Sequence, residues 1–343
     1  MTLKDGLKYS KTFINLVFIF FIALFLSESK FIPFGAHPKT IKDIVNIFQN
    51  NFNPQYAQFI DDPNSKEKNS QSNLYPLIFD SIYKDSKNQK IVVLIVVESI
   101  GLVSEQKYEN KIEQLFIKEL NDAIRNSNNN KFKLSRLKNE VAPGGTLRME
   151  YLNLCSQFKK EQKELFDNCL PNIIKQKENW TSIYMHSPSL SFYNRKNIMR
   201  EIGFEELFSQ RGKLIEDKDI FKQLKICLTR NFCAPPDSDL FKSGLKKIKE
   251  NKSKNIFLNI LTVDAHGPYR SMNIFRKTSE IDNYFEKVSI SLNQVSNFIQ
   301  NLLISFEKKD IDIFIVSDHP AILTSEDKED YTHLNYSFRI QKK

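Results

Sequence analysis

The stretch KIVVLIVVES, residues 90–99, decides the fold. Its seven consecutive apolar residues, Ile91 to Val97, are all β-branched except Leu94. A strand with one wet face alternates polar and apolar residues. A strand buried on both faces, as in a parallel sheet, reads as an unbroken apolar run. The run stops at Glu98, so the strand delivers a carboxylate at its exit. Outward from it, YENKIEQLFIKELNDAIR (108–125) has helical periodicity. TSIYMH (181–186), NIFLNILTVDAH (255–266) and IDIFIVSDH (311–319) read as further strands, with helical patterns between them, clearest at 283–304. Strand and helix alternating over this length predict an α/β sandwich with a mainly parallel central sheet. No internal repeat is visible.

In such a sheet ligands bind beyond the carboxyl ends of the strands. The predicted strands end in Glu98, in His186, in Asp264 followed by His266, and in the pair Asp318-His319. The chain has five histidines, and three of them stand at these exits. A nucleophile is offered by APGGTLRMEYLNLC (142–155). Gly144-Gly145 permits a tight turn, and a helix is predicted to open at Thr146. A helix N-terminus presents free N–H groups and the positive end of the dipole, which suits a phosphate or sulfate. Taken alone, Thr146 reads equally as a helix cap.

An ordered set of motifs carries a resemblance: VVESIG (96–101), GGTLRMEYLNLC (144–155), MHSPSLSFYNRKNIMREIGF (185–204), LTVDAHGPY (261–269) and VSDH (316–319). Together they resemble the sulfatase-like branch of the alkaline phosphatase superfamily. Within that branch they are similar to the catalytic domains of lipoteichoic acid synthases, phosphoglycerol transferases and phosphoethanolamine transferases. The resemblance covers roughly residues 90–319 and implies an alkaline-phosphatase-like fold. It implies Glu98, Thr146, Asp318 and His319 as metal ligands, Thr146 being also the nucleophile. It implies His186, Arg195 and His266 beside the substrate phosphate, with a second metal as the alternative for His266.

The chemistry of these residues agrees. A threonine hydroxyl barely ionises near neutral pH, and a bound divalent ion lowers its pKa. Two carboxylates, an imidazole and a hydroxyl oxygen suit Zn or Mn without choosing between them. His186, Arg195 and His266 offer charge stabilisation to a transferring phosphoryl group, with Arg195 able to reach two oxygens at once. The expected reaction is ping-pong transfer of a head group of the phosphoethanolamine or phosphoglycerol type. It runs from a membrane lipid donor, through a phospho-threonine, to a surface lipid or polysaccharide acceptor. A sulfuric ester or phosphodiester hydrolase of the same fold is the alternative, and a non-catalytic envelope protein is another. TLRME (146–150) lacks the C/S-x-P-x-R signature of arylsulfatases, which disfavours sulfate esters. Only 24 residues follow His319, where the family continues with further strands, so a C-terminally shortened catalytic domain is expected.

Lys4, Lys8 and Lys11 precede the uncharged run FINLVFIFFIALFL (13–26). It reads as a signal-anchor transmembrane helix, a cleaved signal peptide being the alternative. The lysines place the N-terminus in the cytoplasm. The expected layout is a cytoplasmic tip and anchor over 1–34, a connector over 35–89 and a catalytic domain over 90–343. That domain would stand on the periplasmic or extracytoplasmic side of a single-pass protein of the inner (cytoplasmic) membrane. Cys155 and Cys169, and Cys227 and Cys233, fall as two sequence-local pairs. In an oxidising compartment the expected bridges are Cys155–Cys169 and Cys227–Cys233, with four buried thiols as the alternative. No C-x-x-C supports a zinc-cysteine site.

The chain has 343 residues, 41% of them hydrophobic, enough for a sizeable core. Its net charge of +9 is spread along the whole length. No basic run interleaves with aromatics, so nucleic-acid binding is not expected. A positive surface suits an anionic membrane or a phosphorylated substrate.

Overall fold

A computed structural model of the chain describes residues 72–84, 86–100, 106–138, 140–141, 146–156, 166–216, 225–226, 231–267, 269, 279–319 and 334–343. The expected anchor (13–26) and Cys227 lie outside these residues. Among the described residues, no helix is long and apolar enough to cross a membrane.

The run that opens the sequence analysis is β1 (Lys90–Val97), buried along its whole length. It is the centre of a seven-stranded mixed sheet. On one side β1 pairs in parallel with β6 (Asn255–Leu261), which pairs with β4 (Trp180–His186), which pairs with β5 (Glu206–Ser209). On the other side it pairs in parallel with β7 (Asp310–Ser317). The sheet then turns antiparallel: β9 (Ser337–Lys342) runs against β7, and β2 (Phe132–Arg136) runs against β9. A separate two-stranded ladder joins β3 (Glu140–Val141) to β8 (Leu334–Asn335). The residues after His319 thus supply strands to both sheets.

Strand alternation sorts the core into two layers. Odd-numbered residues of β1 (Ile91, Val93, Ile95, Val97) meet α2 (Gln106–Asn126), α7 (Asp237–Glu250) and α8 (Glu280–Ser305). Even-numbered residues (Val92, Leu94, Val96) meet α1 (Leu74–Tyr83), α3 (Thr146–Cys155) and α4 (Leu170–Lys175). Each fully buried aliphatic side chain contributes about 1.5–3 kcal/mol relative to exposure, so this one strand anchors both layers. Within the stretch expected as connector, α1 packs Leu74, Ile78 and Ile82 into the second layer.

Local chemistry sets the helix ends. Ser279 caps α8 by accepting from the Asp282 N–H at 3.1 Å. In α7, Asp237 and Asp239 occupy the first turn and Lys247 and Lys249 the last, as the helix dipole favours. The short α5 (Arg195–Glu201) ends in a Schellman motif at Gly203. The Phe204 N–H donates to Met199 O at 3.1 Å and the Gly203 N–H to Arg200 O at 3.0 Å. The remaining short helix, α6 (Gln210–Glu216), follows β5 directly. Cys155, the last residue of α3, is bridged to Cys169, the residue before α4. Cys233 is also disulfide-bonded.

Candidate active site

Register explains why four strands deliver chemistry to one edge. Val97 of β1 pairs with Ser317 of β7, Val96 with Leu261 of β6, and Leu261 with His186 of β4. Glu98, Asp318, His186 and the loop after β6 therefore emerge at one level. The even number of Glu98 sends it to the α3 face, where the helix opens with Thr146. The Thr146 hydroxyl donates to Glu98 Oε1 at 3.3 Å, both residues being buried.

One side-chain nitrogen or oxygen of each of Glu98, Asp318 and His319 lies within 4.8 Å of the others. The Asp318 carboxylate is fully buried. Its Oδ1 accepts from the Ser99 and His319 N–H groups, each at 2.7 Å. Its Oδ2 has no hydrogen-bond partner among the described residues and lies 3.5 Å from His319 Nε2. Ser99 reaches Asp318 because its φ is 60°, a left-handed conformation that costs a non-glycine residue about 1 kcal/mol or more. Backbone strain at the exit of β1 thus aims an N–H at the second carboxylate. Burial, and then the neighbouring Asp318 charge, push the Glu98 carboxyl up to about 8. Two carboxylates forced together without water, one with an oxygen lacking a partner, form a site that a divalent cation fits.

Around this cluster stand the three residues expected beside a phosphate. His266 places Nε2 3.6 Å from Glu98 Oε1, with Nδ1 2.8 Å from the Gly267 carbonyl. His186 is buried, with Nδ1 3.2 Å from the Leu261 carbonyl. A carbonyl only accepts, so Nδ1 carries the proton. Burial, and then the Arg195 charge, hold the His186 pKa well below its usual value. The neutral ring therefore offers Nε2, which has no hydrogen-bond partner among the described residues, as an acceptor. Arg195 is buried at 1% exposure. Its Nε donates to Glu150 Oε2 at 3.1 Å, and Nη2 lies 3.1 Å from the same oxygen in an ion pair. Along its Nε side the guanidinium is thus held by a protein carboxylate. Nη1 is the nitrogen without a hydrogen-bond partner among the described residues.

Two carboxylates were missed by the sequence reading. Glu150 stands four residues after Thr146, hence on the same face of α3; that spacing was the available signal. Asp237 opens α7, and its Oδ2 accepts from the Val263 and Asp264 N–H groups at 2.8 and 2.7 Å. It holds the turn that leads from β6 to His266. Asp264, expected to face the ligand edge, instead accepts from the Asp237 N–H at 3.2 Å.

A family model described as sulfatase matches residues 90–341. Lipoteichoic acid synthase 1 of Bacillus subtilis (strain 168) is 24% identical over 161 residues, 45% of this chain and 23% of that protein. The match thus spans less than a quarter of the relative's length. Among solved structures, the lipoteichoic acid synthase LtaP from Listeria monocytogenes superposes with a TM-score of 0.51 at 18% identity, covering 78% of this chain and 71% of that one. A protein in the alkaline phosphatase superfamily from Vibrio parahaemolyticus also gives 0.51, at 15% identity, covering 87% and 69%. At such identities the structural likeness speaks for the fold.

Proposed function

Because the chain belongs to the sulfatase family, within the alkaline phosphatase superfamily, we propose that it is a metal-dependent phosphoryl-group transferase of the cell surface. It moves a head group of the phosphoglycerol or phosphoethanolamine type from a membrane lipid to a surface lipid or glycan. The observation that carries this reading is the convergence of Thr146, Glu98, Asp318 and His319 at one sheet edge, with Thr146 at a helix N-terminus.

Glu98, Asp318, His319 and the Thr146 oxygen would hold a divalent ion, Zn or Mn. When bound, that ion lowers the pKa of the threonine hydroxyl and offsets the charge of the two carboxylates. The Thr146 oxygen attacks the donor phosphorus, the bond to the diacylglycerol oxygen breaks, and a phospho-threonine diester forms; the threonine proton passes by way of Glu98 to the departing diacylglycerol oxygen. Arg195 Nη1 stabilises the negative charge on the phosphoryl oxygens. An acceptor hydroxyl then attacks the same phosphorus, with neutral His186 accepting its hydrogen bond at Nε2, and its proton returns to the Thr146 oxygen as that oxygen leaves. His266 closes the site on the side of Glu98. The Cys155–Cys169 bridge supports placement of the domain in an oxidising, extracytoplasmic compartment.

The test is release of diacylglycerol from vesicles of phosphatidylglycerol or phosphatidylethanolamine, with Mn or Zn supplied to the purified protein. Release from one lipid, abolished by Thr146→Ala, is the expected result. Release that survives Thr146→Ala, or no release from either lipid with either metal, would overturn the proposal. Release of the head group to water rather than to an added glycan would make the enzyme a hydrolase.

A further inference from the structure

We propose that Glu150 is a positioning residue, which locks the Arg195 guanidinium against the nucleophile-bearing helix so that Nη1 faces the phosphoryl group. The inference rests on the proposed phosphoryl-transfer reading and deepens it.

Glu150 lies one turn below Thr146 on α3, about 6 Å along the axis. Its side chain is fully buried, and every contact of its carboxylate goes to a residue that frames the site. Oε1 accepts from the Tyr184 hydroxyl at 2.7 Å. Oε2 accepts from Arg195 Nε at 3.1 Å and forms an ion pair with Nη2 at 3.1 Å. Tyr184 lies two residues before His186 on β4, and Arg195 opens α5. One carboxylate therefore ties together the helix of the nucleophile, the strand of His186 and the helix of the phosphate-binding arginine.

The chain leading into Arg195 sets Tyr193 and Phe192 with their ring centroids 5.2 and 5.8 Å from the guanidinium carbon, but it supplies no counterion. Tyr193 and Asn194 just before it stand at φ 51° and 54°, a left-handed kink between β4 and α5. Without Glu150 the guanidinium would be a buried charge lacking its counterion, free to swing toward water. With Glu150 the guanidinium is fixed at Nε and Nη2, and Nη1 remains buried without a hydrogen-bond partner among the described residues. Such a donor costs free energy unless a ligand completes it. Glu150 thus ties the phosphate donor to the nucleophile across one turn of α3.

A purely internal ion pair would affect folding but not anion binding. The experiment therefore titrates inorganic phosphate into the metal-supplied full chain by calorimetry, with melting temperature recorded for each variant. Glu150→Gln and Arg195→Ala should each weaken phosphate binding by roughly tenfold or more. The double variant should bind no more weakly than Arg195→Ala alone, because both remove one unit. Tyr184→Phe, which removes only the Oε1 contact, should weaken binding less; it carries the test if Glu150→Gln fails to fold. Unchanged phosphate affinity in folded Glu150→Gln would overturn the proposal. So would additive losses in the double variant, or no phosphate binding by the wild type. Non-additive phosphate binding in a chain that turns over no phospholipid would leave Glu150 in place and sink the transferase reading alone.

Discussion

Glu98 is a largely buried carboxylate beside a second carboxylate, and those two facts push its pKa up to about 8. Its ordinary value is 4.5. Between those values the folded, metal-free protein keeps a proton that the unfolded chain has released. This group therefore lowers the stability of the metal-free fold as pH rises through that window. A cation reverses the balance, because it needs the carboxylate. Metal affinity should climb with pH, by up to about tenfold per unit, and level off above about pH 8. Calorimetry of Mn binding in two buffers of different ionisation enthalpy measures this as proton release, greater at pH 6.5 than at pH 8.5. Glu98→Gln should remove that release; affinity independent of pH would contradict the assignment. At this scale the sequence reveals which residues leave the strand ends, because position alone settles that. Glu98, His186, Asp318 and His319 follow directly from strand ends. Glu150 and Asp237 were not legible, because their roles depend on which elements pack beside them. Asp264 misled for the same reason: it leaves a strand end but meets the Asp237 N–H.

The elements that carry the site are held at their ends. The short α5 has Arg195 at one end and Gly203 just past the other, at φ 108°. A Cβ there would meet Asn172 Oδ1 at 2.1 Å and the Asn172 backbone nitrogen at 2.6 Å. Asn172 cannot yield easily, because its side-chain amide donates to Phe166 O and Glu201 O. Gly203→Ala combines a disfavoured φ with a clash against backbone and should destabilise by about 1–3 kcal/mol or more. Thermal or urea unfolding measures it, and a loss below about 0.5 kcal/mol would show that this turn does not fix α5. The strands legible in the sequence were β1, β4, β6 and β7, whose apolar residues run on because both faces are covered. The strands β2 and β9 escaped. FKLSR and SFRIQK are short and mix charged with apolar residues, FKLSR being the edge strand and SFRIQK its neighbour. Their antiparallel pairing makes the sheet mixed, while its other four pairings keep it mainly parallel, as expected.

At the scale of the molecule, two apolar layers fix the sheet and leave its carboxyl edge to chemistry. The Cys155–Cys169 bridge closes a loop of 14 residues between α3 and α4, worth about 3 kcal/mol in the chain-entropy model. It clamps the far end of the helix that opens with Thr146. Fold class was legible from the alternation of strand and helix, and family from five motifs in order. The sheet register that brings those motifs to one level was not, because pairing is set by contacts distant in sequence. The central claim is that Thr146 carries the phosphoryl group. Its most direct test is acid quenching of the metal-supplied full chain during turnover on phospholipid, followed by peptide mass mapping. The expected result is a phosphodiester mass increment on the peptide containing Thr146, absent from Asp318→Asn. Turnover with an unmodified Thr146 peptide, or with the adduct on another residue, would contradict it.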